Sequence, residues 1–513
     1  ERSYQVYRRH LSAGKEELLY QEDDLTYYVG FSFTTDEKYL LIETASTDSS
    51  EVYYMELASQ ERTLTLVSRR RHRVLYGVDH YNGYWWVLSN VNDPDGDMEL
   101  FTVPVGQEQD DLWTQVMDPS GGTPLLAGVA KEELTVFQNH LVMEGRSEGI
   151  LGIWILDLDA NAAWRVTKVK RVAFTEEPAH TAELSYNLEY NTTTILVEYV
   201  SMVTPRQHIQ VDLSRPNHPD GRLVVYERHV PGYDKTRYGC QIITVPSRDQ
   251  KTMIPVSLLY QLSTWNALKE EKAMVPIHLY AYGAYGISMD DEFSSARLPL
   301  LDRGMIFAVA HVRGGGEMGR KWYIDGRLLN KHNTFDDFVD VASYFIREKW
   351  TTPERLSCEG RSAGGLTMGA SLNQAPELFR AAILGVPFVD LVVTMTDASI
   401  PLTTAEWTEW GNPNEPEYFD TMMSYSPMNN VKAAIYPSML LLAGLFDPRV
   451  AYWEPAKLTA TLRHDSIRHP DRPLCLKTDL SSGHFSASDR YKYVKESSFE
   501  YAFILDQLGL VSS

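Results

Sequence analysis

The stretch "CEGRSAGGLTMGA", residues 358–370, sets Ser362 among glycines, and Gly360-Arg361-Ser362-Ala363-Gly364 fits the pattern G-x-S-x-G. Glycines let backbone pass close to a strained turn, so a serine held there turns its hydroxyl out of the fold. A tight turn made of small residues is the plain alternative. What favours chemistry is the setting, an apolar strand-like run before the serine and a helical run after it. A serine hydroxyl is a weak nucleophile at neutral pH. It needs a histidine to take its proton and a carboxylate to hold that histidine in one tautomer.

Both partners are found downstream, in the order serine, acid, histidine. The apolar run "SMLLLAGLF" ends at Asp447, 85 residues after Ser362, and "PLCLKTDL" leads into "SSGHF" with His484 a further 37 residues on. Each gap has room for a helix and a strand. His464 and His469 sit in the polar stretch "RHDSIRHPDRP" and read as solvated surface, and Asp479 precedes His484 by only five residues. An acyl-transfer intermediate also needs donors for its oxyanion, each contributing about 3 to 4 kcal/mol to the barrier. The backbone N–H of Ala363 supplies one if a helix starts there, and the turn after "IHLY", where Tyr282 precedes Gly283, can supply a second. His484 as general base predicts activity that falls in acid.

Two kinds of sequence must position these residues. Up to residue 228 the chain reads as all-β, and four stretches share a strand-turn-strand plan whose central strands start at Tyr39, Tyr84, His140 and Ile195, steps of 45, 56 and 55 residues. That spacing suits four-stranded propeller blades better than a β-sandwich. "YQVYRRHL" reads as the tail of a fifth blade, so the expectation is an incomplete propeller belonging to a longer chain. From 229 to 513 apolar runs ("VPIHLYAYG", "MIFAVAHV", "RLSCEG", "AAILGVPF", "SMLLLAG", "PLCLKTD") alternate with helical patterns, after a hairpin over "CQIITVPSRDQKTMIPVSLLYQL". This is a doubly wound α/β domain, whose ligands sit at the carboxyl ends of the strands.

Composition narrows the class. A formal charge of −21 disfavours nucleic acid and anionic membranes as partners, and no apolar run reaches spanning length. Cys240, Cys358 and Cys475 are odd in number and lack metal spacing, which points to a reducing, cytoplasmic setting without zinc. "HVRGGGEMG" lacks the G-K-[ST] ending of a phosphate loop, so no cofactor is expected, and its glycines are expected to shape a turn beside the site.

The runs "YAYGAYG" (280–286), "HVRGGGEMGRKWYIDGR" (311–327), "GRSAGG" (360–365), "PLTTAEWTEWGNP" (401–413), "GLFDPRVAYWEPAK" (444–457) and "SGHFS" (482–486) together resemble the oligopeptidase B group of the prolyl oligopeptidase family of serine peptidases. The resemblance covers essentially the whole chain. It implies an α/β-hydrolase catalytic domain preceded by a β-propeller that admits only short peptides. It further implies Ser362 as nucleophile, Asp447 and His484 as its partners, the Tyr282 hydroxyl as second oxyanion donor and Arg449 as a ligand of substrate backbone. Cleavage after Arg or Lys is implied through Glu406 in the first pocket, with Asp290 and Glu292 as acids of the second. Asp291 is expected to face solvent. The family's second acid in the first pocket falls on Thr408, and Glu409, one turn on, is expected to compensate.

Two rival readings differ from this one. An apolar pocket with Trp407 would hold proline instead, and a truncated propeller could leave an inactive interaction module. Matched substrates with Arg or Pro before the scissile bond separate the first, and a fluorophosphonate label on Ser362 excludes the second.

Overall fold

A computed structural model describes the chain apart from residues 1, 13, 62, 109–112, 160, 175–176, 401–402, 486–489 and 512–513. Pro401, Leu402 and Ser486 of the quoted motifs therefore lie outside the described residues. Four four-stranded antiparallel sheets follow one another from Tyr28 to Glu227, preceded by the antiparallel pair Gln5–Arg9 and Glu16–Gln21. The second strands are Tyr39–Ala45, Tyr84–Ser89, His140–Ser147 and Thr194–Ser201, each with a mostly buried run at its centre. Successive sheets pack face to face: Val52 and Tyr54 of one meet Trp85 and Phe101 of the next, and Ile153 and Ile155 meet Val197 and Val211. Successive residues point to opposite faces of a strand, so the runs of consecutive apolar residues, such as Leu40, Leu41 and Ile42, give a blade two such faces.

The second half is built on one eight-stranded sheet. Its strands are β1 (Tyr238–Pro246), β2 (Met253–Gln261), β3 (Ile277–Tyr280), β4 (Ile306–Ala310), β5 (Leu356–Arg361), β6 (Ala381–Gly385), β7 (Ser438–Gly444) and β8 (Leu474–Asp479). The spatial order is β1-β2-β4-β3-β5-β6-β7-β8. The first two strands form the expected hairpin, β2 runs antiparallel to β4, and β3 to β8 are mutually parallel. Strands β4, β6 and β7 are buried throughout, as a sheet covered on both faces requires.

Helices α1 (His332–Arg347), α2 (Ala363–Gln374), α3 (Thr403–Trp410), α4 (Trp453–Asp465) and α5 (Arg490–Gln507) accompany the sheet. Phe338 and Phe345 of α1, Met368 and Leu372 of α2 and Leu458 and Leu462 of α4 cover one face. Ile504 and Leu505 of α5 cover the other, in a cluster that also takes in Ala179, Met202 and Val203 of the propeller half and Cys240 of β1. The two halves thus share a hydrophobic contact. The three cysteines are free, Cys240 and Cys358 buried and Cys475 exposed. No helix among the described residues is long and apolar enough to cross a membrane.

Candidate active site

Ser362 stands between the end of β5 and the start of α2, with φ 55° and ψ −120°, a region a non-glycine residue enters only under constraint. The glycines supply the constraint. A Cβ on Gly360 would lie 2.2 Å from the carbonyl oxygen of Gly364, and one on Gly365 would lie 2.4 Å from Cβ of Pro387. The turn is closed because strand, helix and the loop after β6 all approach within backbone contact, and only glycine fits between them. Ala363 is the first helical residue and is buried, so its N–H lies among the donors that a helix start leaves without an intrahelical partner.

His484 Nε2 is 3.1 Å from Ser362 Oγ, and Nδ1 is 2.7 Å from Asp447 Oδ2. The other carboxylate oxygen, Oδ1, accepts the backbone N–H groups of Arg449 (2.8 Å) and Val450 (2.9 Å), which fixes its plane. The Asp447 side chain is fully buried and that of His484 is 6% exposed, so the pair is shielded from water although it sits on loops. The loops are themselves held together: a Cβ on Gly444, at the end of β7, would come within 2.4 Å of the carbonyl of Gly483. His464 is exposed and paired with Asp465, while Asp479 is engaged by Ser481 and Lys492, so neither rival reaches the serine.

Beside Ser362 opens a cavity of about 230 Å³ lined by Tyr282, Tyr285, Ala363, Phe388, Met395, Glu406, Trp410, Arg449 and Val450 among others. Burial, and then neighbouring groups that include Glu409 and Glu406, push the Tyr282 phenol well above its ordinary range and keep its proton available for donation. Glu406 accepts the hydroxyl proton of Tyr285 at 2.6 Å, and burial pushes its carboxyl above the usual range. Arg449 is exposed, its guanidinium 5.3 Å from the centre of the Phe485 ring.

Several expected residues stand elsewhere. Trp407 does not line the cavity; its indole N–H donates to the Met395 carbonyl, and the wall is made by Trp410. Residues 403, 406, 407 and 410 share one face of α3, and what sets Trp407 apart is its bond to the Met395 carbonyl, while Trp410, four residues after Glu406, faces the cavity. Glu409 does not supply the missing acid. It is 1% exposed and committed to Tyr285 N–H (2.9 Å) and the Tyr323 hydroxyl (2.6 Å). Asp290 is not unpaired: Arg146 of the propeller half holds both its oxygens, at 2.6 and 3.2 Å. Glu292 is exposed and outside the linings of both this cavity and the larger one between the halves. Asp291, expected in solvent, is 6% exposed, with His311 and Asp290 among its charged neighbours.

Other features escaped sequence reasoning. Lys331 is buried, its ammonium donating to the carbonyls of Gly283 (2.5 Å) and Gly326 (3.1 Å), and burial pulls its pKa down to about 8. Nothing local marks a lone lysine before a helix as buried. The glycines of 314–316 do shape a turn beside the site: a Cβ on Gly314 would lie 2.4 Å from the Gly283 carbonyl, and one on Gly316 would lie 2.2 Å from that of Gly286. No group of three or more His, Cys, Asp or Glu side chains among the described residues could hold a metal.

A strained serine between a strand and a helix of a mixed eight-stranded sheet, joined to four propeller-type blades, defines an α/β-hydrolase with a β-propeller domain before it. Residues 291–511 match the "Prolyl oligopeptidase family" and residues 1–219 the "Prolyl oligopeptidase, N-terminal beta-propeller domain". The chain belongs to the prolyl oligopeptidase family. It is 37% identical over 500 residues to dipeptidyl aminopeptidase BI of Pseudoxanthomonas mexicana, covering 98% of this chain and 65% of that protein. It is 35% identical to protease 2 of Moraxella lacunata over 99% of this chain and 70% of that one. Oligopeptidase B of Leishmania major superposes with a TM-score of 0.89 at 39% identity, covering 99% of this chain and 69% of its own. Oligopeptidase B of Trypanosoma brucei, solved with covalently bound antipain in a closed form, gives 0.89 at 40% identity, covering 100% and 70%. This chain therefore spans about two thirds of the length of these relatives.

Proposed function

We propose that this chain is a serine oligopeptidase that cleaves short peptides after Arg or Lys through an acyl-enzyme. The observation that carries the reading is the hydrogen-bonded series Asp447, His484, Ser362 opening onto a cavity with a carboxylate, Glu406, in its wall. Ser362 Oγ attacks the scissile carbonyl while His484 Nε2 takes its proton, and Asp447 fixes the tautomer and stabilises the imidazolium. The oxyanion is held by the Ala363 N–H and the Tyr282 hydroxyl. His484 then gives its proton to the leaving amine, and a water activated by the same imidazole hydrolyses the ester. Arg449 holds substrate backbone at the mouth.

Glu406 lies in a half-desolvated pocket, where its charge is costly until a guanidinium or ammonium arrives to pair with it. The side chain before the scissile bond thus brings the charge the pocket lacks. Asp290 stands as the acid for a second basic residue, with Arg146 as the competitor that a substrate must displace from it, while Glu292 lies outside the cavity walls. The antipain adduct of the T. brucei relative supports a covalent route for this site. We place the domain boundary at 228/229, between the last blade strand and β1, and assign the protein to the cytoplasm on the strength of three unpaired thiols.

Fluorogenic dipeptides with Arg, Lys, Pro or Ala before the reporter test the assignment. Preference for Arg and Lys, together with loss of fluorophosphonate labelling in Ser362→Ala, is the expected result. The apolar walls from Phe388, Met395 and Trp410 keep a prolyl specificity as the second reading, and preference for Pro overturns the role given to Glu406.

A further inference from the structure

Glu406 is the last member of a hydrogen-bonded series that begins in the propeller half. Asp48 Oδ1, in the loop after the strand Tyr39–Ala45, accepts from Arg327 Nη2 at 2.8 Å. Arg327 Nη1 donates to the Tyr323 hydroxyl oxygen at 2.9 Å, and that hydroxyl donates to Glu409 Oε2 at 2.6 Å. Glu409 Oε1 accepts the Tyr285 backbone N–H at 2.9 Å, and the Tyr285 hydroxyl donates to Glu406 Oε2 at 2.6 Å. Arg327, Tyr323 and Glu409 are 3%, 6% and 1% exposed, so water competes little for any of these bonds.

Tyr285 is the point at which the series can change the pocket. Its φ of 61° is costly for an aromatic residue, and its side chain lines both the Ser362 cavity and the cavity between the two halves. The backbone is held in that conformation by Glu409 at the N–H, and the ring is held by Glu406 and by the Trp410 indole N–H at 3.3 Å. The same propeller loop also meets α3 directly, Thr47 Oγ1 lying 2.7 Å from Thr408 Oγ1. Glu406 is therefore approached by the propeller from two sides, over the back of α3 and through Arg327.

We propose that Arg327, anchored by Asp48, is a positioning residue for recognition of a cationic side chain: docking of the propeller loop fixes Tyr285 and thereby aligns Glu406. Without Asp48 the Arg327 guanidinium keeps Tyr323 alone and turns toward the carboxylate of Glu409. Tyr285 then loses the partner that holds its strained backbone. The proposal rests on the Arg/Lys reading of the pocket and says what makes that pocket competent.

The test uses the full chain, with benzamidine as a cationic probe whose binding needs no turnover and with Arg and Ala dipeptide substrates for kinetics. Asp48→Asn is expected to raise the benzamidine Kd and the KM for the Arg substrate roughly 3- to 30-fold, the range of a mutation that acts through a coupled network. The kcat for Arg and all constants for the Ala substrate stay unchanged. Asp48→Glu, which keeps the charge, restores most of the loss. Tyr285→Phe, which removes the hydroxyl that holds Glu406, also raises the benzamidine Kd, and the double variant Asp48→Asn/Tyr285→Phe binds benzamidine no worse than Tyr285→Phe alone. An Asp48→Asn chain with unaltered benzamidine Kd, or with equal losses on Arg and Ala substrates, overturns the relay and leaves the specificity reading standing. An unsubstituted chain that handles Ala as well as Arg overturns the specificity reading and the relay with it.

Discussion

Each member of the proposed triad has its own local fixation. Asp447 is held by two backbone N–H groups on one oxygen and by His484 on the other, so Asp447→Asn keeps the shape and the backbone contacts. The new amide, however, presents a donor to Nδ1 and forces the imidazole into the tautomer that cannot accept the serine proton. The kcat is expected to fall about 10⁴-fold with KM little changed, as steady-state kinetics on an Arg substrate would read. Ser362, Asp447 and His484 were legible because each falls where an apolar strand ends, and strand ends are visible in sequence. Trp410 was not singled out although it stands four residues after Glu406 on a helix, the spacing that shares a face. Glu409 misled for a related reason. Sequence places it beside Glu406 but cannot say that Tyr285 and Tyr323 already occupy it.

At the level of elements, the site depends on how closely backbone approaches backbone. Gly444 ends β7 against the carbonyls of Ser482 and Gly483, which carry His484. Gly444→Ala is expected to push that loop outward by a fraction of the 2.4 Å approach and to lower kcat roughly 100-fold, the effect of about 1 Å of misplacement. The thermal midpoint should drop only a few degrees, since the loop contributes little to the core; a fall in activity that merely tracks unfolding would refute the geometric cause. The blade strands were legible because short apolar runs bounded by turn residues survive in single strands: the positions Tyr39, Tyr84 and His140 begin strands, and Ile195 stands one residue inside its own. The start of α5 was not, because its first turns are polar and tyrosine-rich and carry no apolar stripe.

Over the whole molecule, the contacts least legible in sequence are those joining the halves. Arg146 and Asp290 are 144 residues apart, and Asp48 and Arg327 are 279 apart, so no local pattern announces either pair. Burial also distributes titration across both halves. It raises Glu144 in the propeller, and Glu454 and Glu500 in the hydrolase half, to about 7. An acid whose folded value lies above its unfolded value binds more protons when folded, so these groups withdraw stability as pH rises from about 4.5 to 7. His80, His140 and His180, whose values burial lowers, act in the opposite sense as pH falls through the ordinary histidine range. Substitution separates the two. Glu454→Gln, neutral at every pH, is expected to gain thermal midpoint relative to the unsubstituted chain between pH 5 and pH 8, and a constant difference across that range would count against a raised Glu454.

The three thiols give this molecule three clocks. Cys475 is open to reagent at once, whereas Cys358 lies beneath the elbow in the sheet core and reacts only when the hydrolase half unfolds. Cys240 stands between them in kind, its sulfur 3.8 Å from the Ala179 carbonyl across the seam between the halves. Burial raises its thiol to about 12, so alkylation there waits for the seam to part. Under a mild maleimide pulse the chain is expected to label in three phases. The middle phase measures how often the propeller lifts away from the hydrolase, and a bound active-site ligand that favours the closed arrangement slows that phase and, by stabilising the folded hydrolase half, the slowest one, while Cys475 labels as before.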